Sequence, residues 1–123
     1  MNNKRVYEIK RAQKKAQLLR ILSSLFVEAS LDNEKLFGFY INRIELSPDK
    51  SNCYVYFCAP RGKDDFKENL ELLKLYKPSM RAALSKQLNG RYTPQLTFRF
   101  DELHVKARNI DDLLNKLKDD GEL

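Results

Sequence analysis

The chain has 123 residues, 42% of them hydrophobic, and carries 23 Lys and Arg against 17 Asp and Glu, a net charge of +6. Such a length suits one domain, residues 1–123 with 1–3 and 118–123 frayed, that buries about two thirds of the surface its unfolded form exposes. The apolar share excludes a wholly disordered chain, and no apolar run approaches the roughly 18 residues of a membrane-spanning helix.

From Lys4 to Ala29, the residues Ile9, Ala12, Ala16, Leu19, Leu22 and Phe26 recur at steps of three and four, which predicts an amphipathic helix. Lys10, Lys14 and Gln17 fall on roughly the opposite side, and Leu18, Ile21 and Leu25 widen the apolar arc, so the second half is buried more deeply. Asp32 and Asn33 supply turn chemistry. In FGFYINRIELS, Phe37, Phe39 and Ile41 alternate in one phase and Ile44 and Leu46 in the other, which predicts a strand with a bulge near Asn42. Pro48 to Ser51 turn the chain into NCYVYFC, a second strand that completes a hairpin. Cys53, Val55 and Phe57 lie on one of its faces and Tyr54, Tyr56 and Cys58 on the other.

Pro60, Arg61 and Gly62 break the chain before Asp64 and Asp65, acids suited to the positive end of a helix whose buried stripe is Phe66, Leu70 and Leu73. That helix stops near Lys77, because Pro78 disfavours helical geometry in the residue before it yet is well tolerated at the start of a new helix. The new helix buries Met80, Leu84 and Leu88 and ends at Asn89 and Gly90, so two helices meet at an angle over Tyr76, Lys77 and Pro78. LTFRFDELH follows as a strand with Leu96, Phe98 and Phe100 on one side and Thr97, Arg99 and Asp101 on the other. Asn109 then caps a short helix through Leu113, Leu114 and Leu117. Three strands among helices of this length fit a two-layer α+β domain.

The charge is unevenly placed. Residues 1–20 hold Lys4, Arg5, Lys10, Arg11, Lys14, Lys15 and Arg20 against Glu8 alone, a surplus equal to the whole net charge. No acid occurs between Glu71 and Asp101, whereas Lys74, Lys77, Arg81, Lys86, Arg91 and Arg99 do. Two basic blocks on a balanced background fit a phosphate-rich partner, and solvated faces kept for solubility are the plainer alternative. The basic start lacks the apolar core of a secretory signal; its scarcity of acids would also suit a mitochondrial address, against which the helical spacing argues. Cys53 and Cys58 sit roughly 16 Å apart on one strand and point to opposite faces, so they cannot bridge, and two free thiols fit a reducing cytoplasm.

Catalysis finds little support. His104 is the only histidine, and the carboxylate pairs Asp64 with Asp65, Asp101 with Glu102, and Asp111 with Asp112 are sequence neighbours whose side chains point apart. No metal spacing, phosphate-binding Gly-rich loop or dinucleotide fingerprint is present, so no cofactor is expected. For RNA the relevant features are cations, a helix start and accessible aromatics. The first amides after Pro78, beside Lys77 and Arg81, could hold a phosphate, although a proline at a helix break is ordinary architecture. Tyr54 and Tyr56, with Arg43 and Arg99 on neighbouring strands, could form a stacking platform, although half-exposed sheet tyrosines are common.

The stretch RYTPQLTFRFDE at 91–102 resembles the C-terminal signature of the ribosome-binding factor A family: an Arg, a Pro, then Leu-x-Phe and an acid. Supporting matches are Lys4, Arg5 and Val6 near the start of the basic helix, Ile44-Glu45-Leu46-Ser47 before Asp49, and the Cys53, Val55, Phe57 pattern. The resemblance implies a type II KH-like domain, ordered α-β-β-α-kink-α-β with a short C-terminal helix. It also implies a cytoplasmic, monomeric, non-enzymatic factor that binds the small (30S) ribosomal subunit and assists late maturation of 16S rRNA, including its 5′ end, and is associated with growth in the cold. No membrane or small-molecule substrate is implied. Lys4, Arg5, Lys10, Arg11, Lys14 and Lys15 would meet RNA on the first helix, the last four supplying long-range attraction, while Lys77, Ser79, Arg81, Lys86 and Arg91 position the phosphate backbone. Where the family carries an Ala-x-Gly kink, this chain has Tyr76-Lys77-Pro78, which keeps a break but changes its surface. A general single-stranded RNA or DNA binder with the same fold is the rival class.

Overall fold

A computed structural model describes residues 3–89, 91–103, 110 and 113–115. Helix α1 spans Asn3–Ser30, and its buried residues are Leu18, Ile21, Leu22 and Phe26. The expected stripe fails in the first half: Ile9 is half exposed and Ala12 and Ala16 are exposed. Followed back from Leu22 through Leu18, the inward line passes through Lys15 and Arg11 instead. The cause is what the helix runs against. Beyond Leu18 it meets the polar end of strand β1 (Tyr40–Leu46), where Arg11 Nη2 donates to the carbonyls of Leu46 and Ser47 at 2.7 and 3.2 Å, and Lys15 Nζ to Glu45 Oε2 at 2.9 Å.

After α1, Asn33 Oδ1 accepts from the Lys35 amide at 3.1 Å and opens a single 3-10 turn over Glu34–Leu36. That turn removes Phe37 from the strand expected to contain it, leaving it exposed, while Leu36 and Phe39 enter the core. Gly38 holds φ +86°, and a Cβ there would lie 2.9 Å from Pro60 Cγ, so glycine is required both by conformation and by space.

Strand β1 pairs antiparallel with β2 (Asn52–Cys58), and β2 pairs parallel with β3 (Gln95–Phe100), giving the sheet order β1-β2-β3. Ile41 faces Phe57 and Arg43 faces Tyr56, so Asn42 is the extra residue of the bulge expected from the phase change. The register builds three apolar rows on one face: Leu46, Cys53 and Leu96; Ile44, Val55 and Phe98; Ile41, Phe57 and Phe100. All but Phe100 are buried, and Phe57 lies at the centre, edge-on to Phe26 at 5.0 Å and to Phe98 at 4.9 Å between ring centroids. Full burial of such a ring contributes about 1.5–3 kcal/mol, with about 0.5–1.5 kcal/mol more from the aromatic geometry.

Helix α2 (Lys63–Leu75) adds Phe66 and Leu73 to this core, and α3 (Lys77–Gln87) adds Met80 and Leu84, with Leu88 just beyond its end. Asp65 is buried in the first turn of α2, where Oδ2 accepts from the Arg61 amide at 3.2 Å and Oδ1 from Asn69 Nδ2 at 3.1 Å. The helices part at Tyr76, as Pro78 predicts, because proline has no amide to continue the ladder.

Strand β3 ends at Phe100, earlier than expected, and Glu102 and Leu103 are already helical. At the switch the Asp101 amide still donates to Phe57 O at 2.9 Å, but its fully buried carboxylate turns to Asn42 and Arg43. Ile110 and residues 113–115 are helical, with Leu113 and Leu114 exposed, while the expected cap at Asn109 and residue Leu117 lie outside the described residues. The order and sheet topology are those of the type II KH-like domain expected above.

Candidate nucleic-acid interface

Part of each basic block, distant in sequence, lies at one end of the sheet around the hairpin turn between β1 and β2: Arg11 of α1 and, before β3, Arg81 and Arg91. Arg11 grips the last residues of β1, Lys50 Nζ of the turn lies 5.3 Å from the Tyr7 ring of α1, and Ser51 O accepts from the Gln95 amide at 3.0 Å. Immediately before Gln95, Arg81 of α3 donates from Nη2 to Thr93 O at 2.9 Å and from Nε to Pro94 O at 3.2 Å. Arg91 stands exposed just upstream. The turn is rigid: Asp49 Oδ1 accepts from the Ser47 hydroxyl and from the Ser51 amide and hydroxyl. These bonds, the Ser51 hydroxyl foremost, pull the Asp49 carboxyl down to about 2.

The expected RNA-facing residues divide by what holds them. Arg11, Lys15 and Arg81 bond within the fold and organise its connections. Lys4, Arg5 and Lys10 are exposed and Lys14 is half-buried along α1, and Lys86 is exposed in the last turn of α3. Among the described residues, Lys10, Lys14, Lys86 and Arg91 have no side-chain hydrogen bond or ion pair. Lys77 turns toward the Phe98 ring, with Nζ 5.2 Å from its centroid, and the Ser79 hydroxyl donates to Tyr76 O at 3.0 Å. Tyr76 points into the core among Phe26, Phe57, Leu73 and Met80, and its hydroxyl accepts from Asn33 Nδ2 at 3.1 Å. Its bulk therefore does not stand on the outer surface of the kink, which presents Pro78 and Ser79.

The sheet face away from the apolar rows carries Glu45, Tyr54 and Thr97 in one row and Arg43, Tyr56 and Arg99 in the next. The Arg43 guanidinium lies 3.7 Å from the Tyr56 ring centroid and that of Arg99 lies 4.2 Å from Tyr54, so the four residues form two stacks. Sequence reasoning missed Lys50, and it missed Lys63 and Lys67 of α2, which line a cleft of about 500 Å³ beside β3. Burial pushes the Cys53 thiol up to about 12, which removes it from thiolate chemistry. Among the described residues no cluster of His, Cys, Asp and Glu is placed to hold a metal ion, and no helix is long and apolar enough to cross a membrane.

The family profile of ribosome-binding factor A matches residues 10–114. The chain belongs to that family. Among its relatives, ribosome-binding factor A of Prochlorococcus marinus subsp. pastoris is 32% identical over 119 residues, covering 95% of this chain and 86% of the relative. That of Mycoplasmopsis agalactiae is 30% identical over 108 residues, covering 88% and 92%. The crystal structure of ribosome-binding factor A from Thermus thermophilus superposes with a TM-score of 0.60 at 30% identity, over 72% of this chain and 93% of that one. A homology-built form of the Thermus thermophilus ribosome-binding factor A, fitted into a cryo-EM map of a 30S complex, gives 0.56 at 29% identity, over 69% and 88%.

Proposed function

We propose that this chain binds the small (30S) ribosomal subunit and assists late maturation of 16S rRNA, including processing and folding of its 5′ end. It acts without catalysis, as a monomer in the cytoplasm, and supports growth in the cold. Membership of the ribosome-binding factor A family supports the reading, as does the relative fitted into a 30S complex. The observation that carries it is the meeting of Arg11 from the first basic block and Arg81 from the second, with Lys50 between them, at the end of the sheet that holds the β1–β2 turn. Lys4, Arg5, Lys10, Lys14, Lys77, Ser79, Lys86 and Arg91 meet the phosphate backbone, while Arg11, Lys15 and Arg81 also hold the elements that carry them.

Co-sedimentation with purified 30S subunits across a salt series tests the assignment. Reversing Lys10 and Lys14 together weakens pelleting and flattens the plot of log affinity against log salt by about 0.7–0.9 for each phosphate that is no longer neutralised. Failure of the folded wild-type chain to pellet with 30S at low salt rejects the reading. Equal affinity for 30S particles and for a generic oligonucleotide makes the chain a general single-strand binder instead.

A further inference from the structure

We propose that the sheet face away from the helices is a second RNA site, where unpaired bases stack on the guanidinium planes of Arg43 and Arg99. This goes beyond the contact at the β1–β2 turn, because the face lies on the opposite side of the sheet from the apolar rows. On those rows Cys53, Val55 and Phe57 are fully buried, whereas Arg43, Tyr54, Tyr56 and Thr97 remain half-exposed and Arg99 is exposed.

Two properties separate this face from an ordinary polar sheet surface. The first is that its cations are held against aromatic rings, Arg43 most firmly. Arg43 lies against Tyr56 while its Nε donates to the buried Asp101 carboxylate at 3.1 Å and its Nη1 stands 3.6 Å from Glu45, so the fork is fixed before any ligand arrives. A guanidinium restrained in this way loses little rotamer entropy when a base settles on it. The second is the charge. Arg99 has no carboxylate partner among the described residues, although it is stacked on Tyr54. Next to it the face continues around the β3 edge into the cleft of about 500 Å³, which Arg43, Tyr56 and Arg99 share with Lys63 and Lys67. Lys63 is paired with Glu102, and Lys67 is without an ion pair among the described residues, so phosphates beside the stacked bases meet positive potential.

Single strands are recognised by this combination of planes and cations, since every base has a π-face and a duplex hides its own. Arg43 and Arg99 stand in one row on the two strands that flank β2, about 9–10 Å apart by strand spacing. Bases stacked directly on one another sit about 3.4 Å apart. The two platforms therefore take splayed bases, and the ligand is unpaired RNA.

The test is fluorescence anisotropy with a labelled uridine octanucleotide, alongside 30S co-sedimentation. Tyr54→Leu with Tyr56→Leu keeps apolar strand residues and loses at least about fivefold in octanucleotide affinity, the lower end expected for one stacked base. Arg99→Lys keeps the charge but removes the plane, and it loses nearly as much as Arg99→Ala. A duplex of the same length competes poorly. Unchanged affinity of the double leucine variant, with wild-type circular dichroism and melting, overturns the proposal, and so does Arg99→Lys binding like wild type. Loss of 30S binding with octanucleotide binding intact would make this a protein-contact face, also against the proposal. If the wild type binds the octanucleotide through this face but never pellets with 30S, the ribosomal reading fails and the sheet-face site stands.

Discussion

Asn33 Nδ2 donates to the Tyr76 hydroxyl at 3.1 Å, which joins the turn after α1 to the break between α2 and α3. The residue that replaces a small one at the kink is thus a tie between two connections. Tyr76→Phe leaves the ring packed but the Asn33 amide without that partner, and costs about 1 kcal/mol, or a fall in Tm of about 4 °C. Tyr76→Ala also opens space against Phe26 and Met80 and costs about 3 kcal/mol. Thermal unfolding followed by circular dichroism reads both.

Arg81 and Lys86 separate structure from partner binding on one helix. Arg81→Gln removes the clamp on the Thr93 and Pro94 carbonyls and lowers stability by about 1–2 kcal/mol. Lys86→Gln, at an exposed position, leaves Tm within error. Denaturant midpoints with unchanged slopes check the pair.

Asp101 is fully buried and receives hydrogen bonds from Asn42 and Arg43 across the bulge. Asp101→Ala strands those donors and costs about 3 kcal/mol, whereas Asp101→Asn keeps an acceptor and costs less. Urea unfolding ranks the two variants, and equal stability of Asp101→Ala and wild type contradicts the role given to this carboxylate.

Asp49 titrates low because the Ser51 hydroxyl and amide and the Ser47 hydroxyl all bond its charged form, bringing it from 3.8 to about 2. A folded-state value below the unfolded one contributes stability that is present above about pH 3.8 and fades as pH falls toward about 2. NMR titration of the Asp49 carboxyl carbon shows the low midpoint, and Ser51→Ala moves it back toward 3.8.

Much of the architecture was legible in the sequence because local chemistry and tertiary demand agree there. The phase change around Asn42 marked the bulge, Pro78 marked the helix break, and alternation in NCYVYFC marked the core face of β2. The errors fall where one residue type serves two purposes. Ile9, Ala12 and Ala16 recur with the spacing of a core stripe, yet they are exposed, and Lys15 and Arg11 continue the inward side of α1 because the end of β1 offers carbonyls and Glu45 rather than apolar side chains. Phe37 alternates in register with Phe39 and Ile41, but the 3-10 turn and Gly38 set it outside the strand. A buried Asp101 has no periodic signature, since its burial depends on Asn42 and Arg43 arriving from a strand far away in sequence.

The parallel union of β2 with β3 bears on how the chain is made. Residues 59–94, including both central helices, must be synthesised before β3 can close against β2. Until then β2 shows a bare row of main-chain donors and acceptors along one side, the condition that invites pairing with another copy. Chain shortened ahead of Gln95 is expected to self-associate through that edge, which size-exclusion chromatography of the truncated form would read.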